Sequence, residues 1–448
     1  MTNYIPNSDK DKKLMMDAIG IKNTDELFTD IPKEKILTNP LNLPRGVSEI
    51  ELRQNMKDIC KKNIIPKLSF LGAGCYNHFI PSTVNSVISR SEFLTAYTPY
   101  QPEISQGSLQ IMYEFQSMIA SLSGMDAANA SMYDGASALA EAASVTCLSK
   151  GKNTILISKG VHPEYRDVVR TYMKARDVNV IEIEIKDGVT DKDDLKNRVN
   201  EDVAAVIIQS PNFFGIIEDQ EKISDIAHKN NALMVSCVIE SISLGILKSP
   251  GSLGADIFIG EGQSFGLTPS FGGPHLGLFA VKKELIRKMP GRIVGKTSDA
   301  DGKDAYVLTL QAREQHIRRE KAGSNICTNQ GLCAIAASVY LSTVGKKLKD
   351  LAYQNMQKAH YAFDTLLQVD GSEKVFENPF FNEFVLKVKN SREIKSKLEE
   401  KNIIIGLLLE DFYPELKDCI LFCVTELTRK EDIDDLAKEL SVAIGDSL

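Results

Sequence analysis

The feature that most constrains the fold is a rhythm over residues 155–282, where short apolar runs alternate with amphipathic stretches. ILIS (155–158), VNVIEIEI (178–185), AAVIIQ (204–209), ALMVSCVI (232–239), DIFIG (256–260) and GLFAVK (277–282) read as strands. PEYRDVVRTYMKA, DKDDLKNRV and DQEKISDIAHKNN, between them, read as helices. A strand that is apolar along its whole length is covered on both faces, and strands separated by single helices pair in parallel. The rhythm predicts an α/β fold with a large, mostly parallel sheet between helical layers.

The flanking segments set the domain plan. In GSLQIMYEFQSMIASLSG, Leu109, Met112, Phe115, Met118, Ile119 and Leu122 recur at helical spacing, and Gly124 closes the helix. Residues 283–325 are charged and contain glycines. From 328 the pattern changes to two long helices (328–347 and 350–368), then FNEFVLKV, a helix over 391–401, IIIGLLL, ILFCV and a last helix. The chain of 448 residues is long enough for two domains. The expected division is a polar helical arm over 1–60, broken at Pro32, Pro40 and Pro44, a large domain over 61–325 and a small α+β domain over 326–448. The arm has little core of its own and is expected to pack on the body or on a partner.

Charge and residue usage exclude several classes. Lys and Arg number 53 against 60 Asp and Glu, a formal charge of -7, where a binder of nucleic-acid backbone would carry the opposite excess. The longest apolar run, IIIGLLL, is far short of the roughly 20 residues of a membrane span. The polar opening MTNYIPNSDKDKK, without an apolar signal core, predicts a cytoplasmic protein. The eight cysteines are scattered with no C-x-x-C pair, and Cys237, Cys419 and Cys423 sit in apolar runs as buried thiols. The six histidines show no H-E-x-x-H pattern, so no metal site is expected. GRIVGKT (291–297) has three residues between its glycines where a phosphate loop needs four, and is expected to be a polar surface loop. TSDADGKD lacks the first and last ligands of a calcium loop.

Three local features point to a site. In YDGASALAEAA, small residues Gly135, Ala136 and Ser137 open an Ala-rich helix, leaving N–H groups at its positive end either for a phosphate or for close helix packing. His162, just past ILIS, is placed either to stack on a flat ring or to cap the next helix. YTPYQPEISQG carries Tyr97, Tyr100, Gln101 and Glu103 on a proline-stiffened loop, the composition of a site or an interface.

FLGAGCYNHFIPS, EFLTAYTPYQPEISQGSLQIMYEFQSMIASLSGMDAANASMYDGASALAEAA, FGGPHLGLFAVKK and REQHIRREKAGSNICTNQGL together resemble the P-protein of the glycine cleavage system, glycine decarboxylase. The resemblance covers almost the whole chain and is to the N-terminal half of that family, which in some organisms is a separate subunit. It implies the aspartate-aminotransferase-like pyridoxal-phosphate fold (fold type I). It implies a pyridoxal-phosphate-bearing subunit 2 as partner, an α2β2 assembly, and glycine and the lipoyl arm of the H-protein as substrates. Tyr97, Tyr100, Gln101 and Glu103 are then candidates to reach the partner's active site.

The same resemblance shows what is missing. The family's catalytic half holds the cofactor through a Lys Schiff base and a carboxylate on the pyridinium nitrogen. The carboxylate position falls on Cys237 and the Lys position on Gln263, with no Lys between Lys248 and Lys282. A chain lacking both is expected to bind no cofactor covalently. Gly135, Ala136, Ser137, His162, Cys237 and Gln263 would then mark a vestigial pocket. Two other readings stay open: a self-sufficient pyridoxal-phosphate transferase or lyase, and a purely structural paralogue. The basic run Arg313, Arg318, Arg319 and Lys321 is expected to be a solvated helix face paired with Glu314 and Glu320; the other reading is an attraction for the H-protein or substrate carboxylates.

Overall fold

The computed structural model describes residues 6–39 and 41–445. They divide at Ile64/Ile65 into two units. In the first, the helices Asp9–Ile19 and Glu49–Cys60 each open on a serine capping box, Ser8 with Asp11 and Ser48 with Glu51. Pro32 precedes a single 3-10 turn, Lys33–Lys35, and Pro40 lies outside the described residues.

The second unit is built on a seven-stranded sheet. Its strands in chain order are β1 (Ala127–Ala128), β2 (Thr154–Ser158), β3 (Asn179–Ile183), β4 (Val203–Gln209), β5 (Leu233–Val238), β6 (Ile257–Glu261) and β7 (Gly277–Val281). Their spatial order is β1-β7-β6-β5-β4-β2-β3, parallel except for β7, which is antiparallel to both neighbours. The helices that matter for the site are α1 (Gln106–Ser123), α2 (Gly135–Lys150) and α3 (Pro163–Lys174).

Alternation along the strands explains the layering. Leu156, Val206 and Ile208 point to one face, where Phe115 and Ile119 of α1 pack. Ile155, Ile157, Ala205 and Ile207 point to the other, against Ala138, Ala142 and Val145 of α2 and Val169 and Met173 of α3. Both faces are therefore sealed, as continuous apolar strands require.

After β7 the charged stretch is not a loop. GRIVGKT forms the strand β8 (Ile293–Ser298), paired antiparallel with β9 (Asp304–Thr309), and TSDADGKD is their turn. The expectation of a polar surface loop is corrected: Arg292, Ile293 and Val294 are buried. Helices α4 (Gly331–Val344) and α5 (Leu348–Leu367) lead to a four-stranded antiparallel sheet that contains Glu383–Val388 and Cys419–Cys423. Phe384, Leu386 and Phe422 pack there against Leu398, Leu436 and Leu440 of the last helices. The segment Leu68–Ser69 adds in parallel to Ile403–Ile404 and carries the chain between the two sheets.

Candidate functional site

Helix α2 starts where it does because Asp134 caps it. The Asp134 carboxylate accepts the Ser137 N–H at 2.7 Å, and Ser137 Oγ accepts the Asp134 N–H at 3.3 Å. The next free donor, the Gly135 N–H, points at a side chain that the sequence reading passed over. Glu261, at the end of β6 and 2% exposed, accepts it through Oε2 at 3.0 Å. Glu261 Oε1 accepts the N–H groups of Gln263 and Leu276, each at 3.0 Å. A fixed anion therefore occupies the positive end of the helix. His275 Nδ1 lies 3.6 Å from the same oxygen, and Glu261 holds that imidazole above the ordinary histidine range. Tyr165 closes the cradle from above: a Cβ on Gly135 would stand 2.5 Å from its hydroxyl.

Gln263 is tied off as completely. Its Oε1 accepts the Tyr76 N–H at 2.8 Å, and its Nε2 donates to the carbonyls of Tyr76 at 2.9 Å and Leu267 at 2.6 Å. Cys237 is wholly buried on β5, where burial, with the Glu261 charge, raises its thiol far above the usual range. His162 caps α3, its Nδ1 accepting the Glu164 N–H at 3.2 Å. Its Nε2 therefore donates to the Ala73 carbonyl, at 3.0 Å. Burial lowers its pKa, which agrees with a neutral ring, and Phe213 packs edge-on at 4.8 Å. His162 N–H in turn reaches Gln209, the β4 neighbour of Cys237.

The structure thus brings Gly135, His162, Cys237 and Gln263 into one connected cluster, and residues 70–79 fill its mouth. Ala73 N–H and the Tyr76 hydroxyl donate to the two oxygens of Glu383, at 2.6 and 2.9 Å. Burial raises the Glu383 carboxyl to about 7 despite those donors. A Cβ on Gly72 would overlap Glu383 and Cys423, so only glycine passes there. His78 lies buried between two carboxylates, with Nε2 2.9 Å from Glu240 and Nδ1 2.8 Å from Glu426. Burial opposes its charge, but the two carboxylates prevail and hold it up to about 10. An imidazolium clasp therefore pins this segment to the end of β5 on one side and to Glu426, just past the strand Cys419–Cys423, on the other.

Pyridoxal phosphate does not fit these residues. It requires an amine where Gln263 presents an amide, and a carboxylate where Cys237 presents a thiol. It requires a free phosphate cradle, and here that cradle holds Glu261. Lys282, which follows in sequence, is spent on the Gly124 carbonyl at 3.0 Å.

The tyrosine loop lies apart. Tyr97 is 82% exposed, and Gln101 and Glu103 are exposed. Arg292 donates to the Tyr100 hydroxyl at 3.3 Å, with its guanidinium 5.4 Å from the ring centre. Among the described residues no hydrogen bond, ion pair or ring contact joins this loop to Gly135, His162 or Gln263. The basic run also departs from expectation. Arg313 is half-buried and holds the carbonyls of Met289, Gly291 and Leu310. Among the described residues none of Arg313, Arg318, Arg319 and Lys321 pairs with Glu314 or Glu320, because Glu314 is buried and turned to His316.

The family model for the glycine cleavage system P-protein matches residues 2–440. The chain belongs to that family. It is 53% identical over 441 residues to a probable glycine dehydrogenase (decarboxylating) subunit 1 of Anoxybacillus flavithermus, covering 98% of each chain. To the protein of the same name in Desulfitobacterium hafniense it is 52% identical over 438 residues, covering 97% of this chain and 98% of that one. The crystal structure of a glycine decarboxylase (P-protein) in inhibitor-bound form superposes with a TM-score of 0.90 at 40% identity, over 99% of this chain and 100% of that one. A sphingosine-1-phosphate lyase of Burkholderia pseudomallei follows at a TM-score of 0.67 and 12% identity, over 92% and 94% of the two chains. That more distant likeness concerns the fold alone. Like other P-proteins, this chain has the aspartate-aminotransferase-like architecture of fold type I pyridoxal-phosphate enzymes.

Glu261, Tyr76, Tyr165, His78 and Glu383 are the site residues that motif reading missed. The available signal was an acid inside an otherwise apolar run, FIGEGQ for Glu261 and FNEFVLKV for Glu383. Such an acid is buried only when paired or hydrogen-bonded.

Proposed function

We propose that this P-protein chain is the subunit of glycine decarboxylase that carries no cofactor. It assembles with a paralogous subunit 2 that holds pyridoxal phosphate, as an α2β2 heterotetramer in the cytoplasm. The assembly removes CO2 from glycine and passes the aminomethyl group to the lipoyl arm of the H-protein. Tyr97, Tyr100, Gln101 and Glu103 face the partner's active-site channel. The names of the relatives and the 40% identical P-protein structure support the reaction. One observation carries the division of labour: the Glu261 carboxylate sits at the helix end that a phosphate would need, two residues before the amide that replaces the lysine.

The test is reconstitution. This chain, its paralogue, lipoylated H-protein and glycine are mixed, and exchange of labelled CO2 into glycine is followed. Exchange should require both chains. Equal exchange from the paralogue alone would end the essential-subunit reading. The purified chain should also stay colourless with added pyridoxal phosphate; a visible band bleached by borohydride would favour a self-sufficient enzyme instead.

A further inference from the structure

Glu141, Val145 and Leu148 are four and three residues apart on α2 and so form one stripe of its surface. Residues 287–291 and 313–326 run beside that stripe and leave two cavities that share Ser324. One, of about 570 Å³, is lined by Glu141, Tyr172, Arg176, Gln315 and Arg319. The other, of about 240 Å³, has Val145, Leu148 and Ile326 as its apolar floor and Arg287, Lys288, Arg318 and Lys321 at its rim.

The charges here are unlike those on the rest of the unit. Among its arginines, Arg90, Arg166, Arg170, Arg198, Arg392 and Arg429 pair with carboxylates. Arg292 and Arg313 are spent on backbone carbonyls and neighbouring side chains. Arg176 is likewise spent on a backbone carbonyl, that of Gly323 at 3.1 Å. The remaining arginines, Arg287, Arg318 and Arg319, line these two cavities, and none of them has a carboxylate partner among the described residues. Such a gathering in a chain of formal charge -7 is a local excess that the acids beside it only partly compensate.

Three acids also line the cavities, Glu141, Glu320 and Glu314, against seven lysine and arginine side chains. Glu141 is 1% exposed, and its Oε2 has no hydrogen-bond partner. Burial raises its pKa, against a hydrogen bond from Ser324 and the nearby Arg176 charge. The stripe from Glu141 to Leu148 rises about 10 Å along the helix. Three or so residues of extended peptide, at about 3.3 Å each, span that length. Leu148, 54% exposed, offers an apolar contact between the cationic ends.

We propose that this groove docks an acidic polypeptide segment of a partner protein. Carboxylates of the segment meet Arg287, Arg318 and Arg319, and an apolar side chain between them rests on Leu148 and Val145.

The probe is a fluorescein-labelled peptide alternating Glu and Leu, titrated with the full-length chain and followed by anisotropy. Binding should weaken as salt rises. Joint Arg318→Glu and Arg319→Glu substitution should weaken it roughly tenfold or more, whereas Arg90→Glu, on an exposed arginine outside the groove, should leave it unchanged. Circular dichroism and the unfolding midpoint report folding, and Arg318→Gln with Arg319→Gln replaces the charge reversal should that variant fail to fold. Undiminished binding by the charge-altered variant would overturn the proposal. So would displacement of the probe by pyrophosphate well below the chloride concentration of equal ionic strength, which marks a small-anion site. Binding of the chain to anionic lipid vesicles in preference to the peptide would overturn it as well. Sedimentation showing a homodimer that the substitutions dissolve would assign the groove to a second copy of this chain.

Discussion

A single glutamine does three jobs just past the end of β6. Gln263 accepts one buried N–H and serves one buried and one half-buried carbonyl, so its amide is a structural knot. Gln263→Leu leaves those three groups unpaired and should cost about 2–4 kcal/mol in denaturant unfolding. Gln263→Lys supplies an amine, yet the Glu261 carboxylate still fills the helix end. With pyridoxal phosphate added, that variant should show no borohydride-sensitive visible band, and the appearance of one would mean that the pocket opens. Buried acids also set the pH response. Burial raises Glu218 and Glu383 to about 7 from the ordinary 4.5. A raised folded-state value means that the folded chain holds the proton more tightly. The stability these groups add is fully present below about 4.5 and is lost as pH rises through about 7. His78, held up to about 10, acts in the same direction at higher pH, from its ordinary 6.5 upward. The unfolding midpoint should therefore fall steadily from pH 5 to pH 9. Glu218→Gln should flatten the part between pH 5 and 8, by at most about 3 kcal/mol. A midpoint that rises with pH over this range would contradict the burial of these acids.

At the scale of elements, the sheet was legible and the hairpin was not. Six apolar runs became strands within a residue or two of their expected bounds, because a strand buried on both faces announces itself in composition alone. The exception is β1, a two-residue strand in DAANAS too short for any periodicity. The hairpin β8–β9 mixes apolar with charged and polar residues, and part of its backbone bonding is supplied from α1. Gln116 accepts the Val294 N–H at 2.9 Å and donates to the Val294 carbonyl at 3.0 Å. Gln106 does the same for Tyr306, at 2.9 Å both ways. Two side-chain amides thus stand in for a neighbouring strand, an arrangement that no local pattern encodes. Gln116→Leu should leave both Val294 groups buried and unpaired, costing about 1–3 kcal/mol and speeding hydrogen exchange in β8 first. The candidate site shows the same divide. His162 stands out by its place just past a strand, Gly135 by the small residues that open an Ala-rich helix, and Cys237 and Gln263 only through the family resemblance. Glu261, Tyr76 and Glu383 work through partners 126, 187 and 307 residues away in sequence.

For the molecule as a whole, the contrast is between a sealed interior and an uncovered rim. The cluster around Gln263 is filled by the chain's own side chains, whereas Tyr97, Tyr100, Ile104, Leu94 and Phe271 stand more than half exposed. Exposed aromatic and aliphatic groups on proline-stiffened loops are the composition of an interface core. Their cost in water is recovered only when a partner covers them. The two tyrosines differ in a way that makes them separable. Tyr100 already has a role inside the chain, through Arg292, which also holds the Cys327 carbonyl at 2.7 Å. Tyr100→Phe should therefore slightly destabilise the isolated chain, by about 1 kcal/mol or less, whatever the partner does. The Tyr97 hydroxyl has no hydrogen-bond partner among the described residues, so Tyr97→Phe should leave the isolated chain's unfolding unchanged. Any effect of Tyr97→Phe must then arise in the assembly. In the reconstituted enzyme a fall in kcat of about tenfold, with the heterotetramer intact by sedimentation, is expected if the hydroxyl reaches the reacting glycine. A weaker assembly with kcat preserved at saturation would make Tyr97 an interface residue. Unchanged kcat together with unchanged assembly would remove the tyrosine from the partner's site altogether.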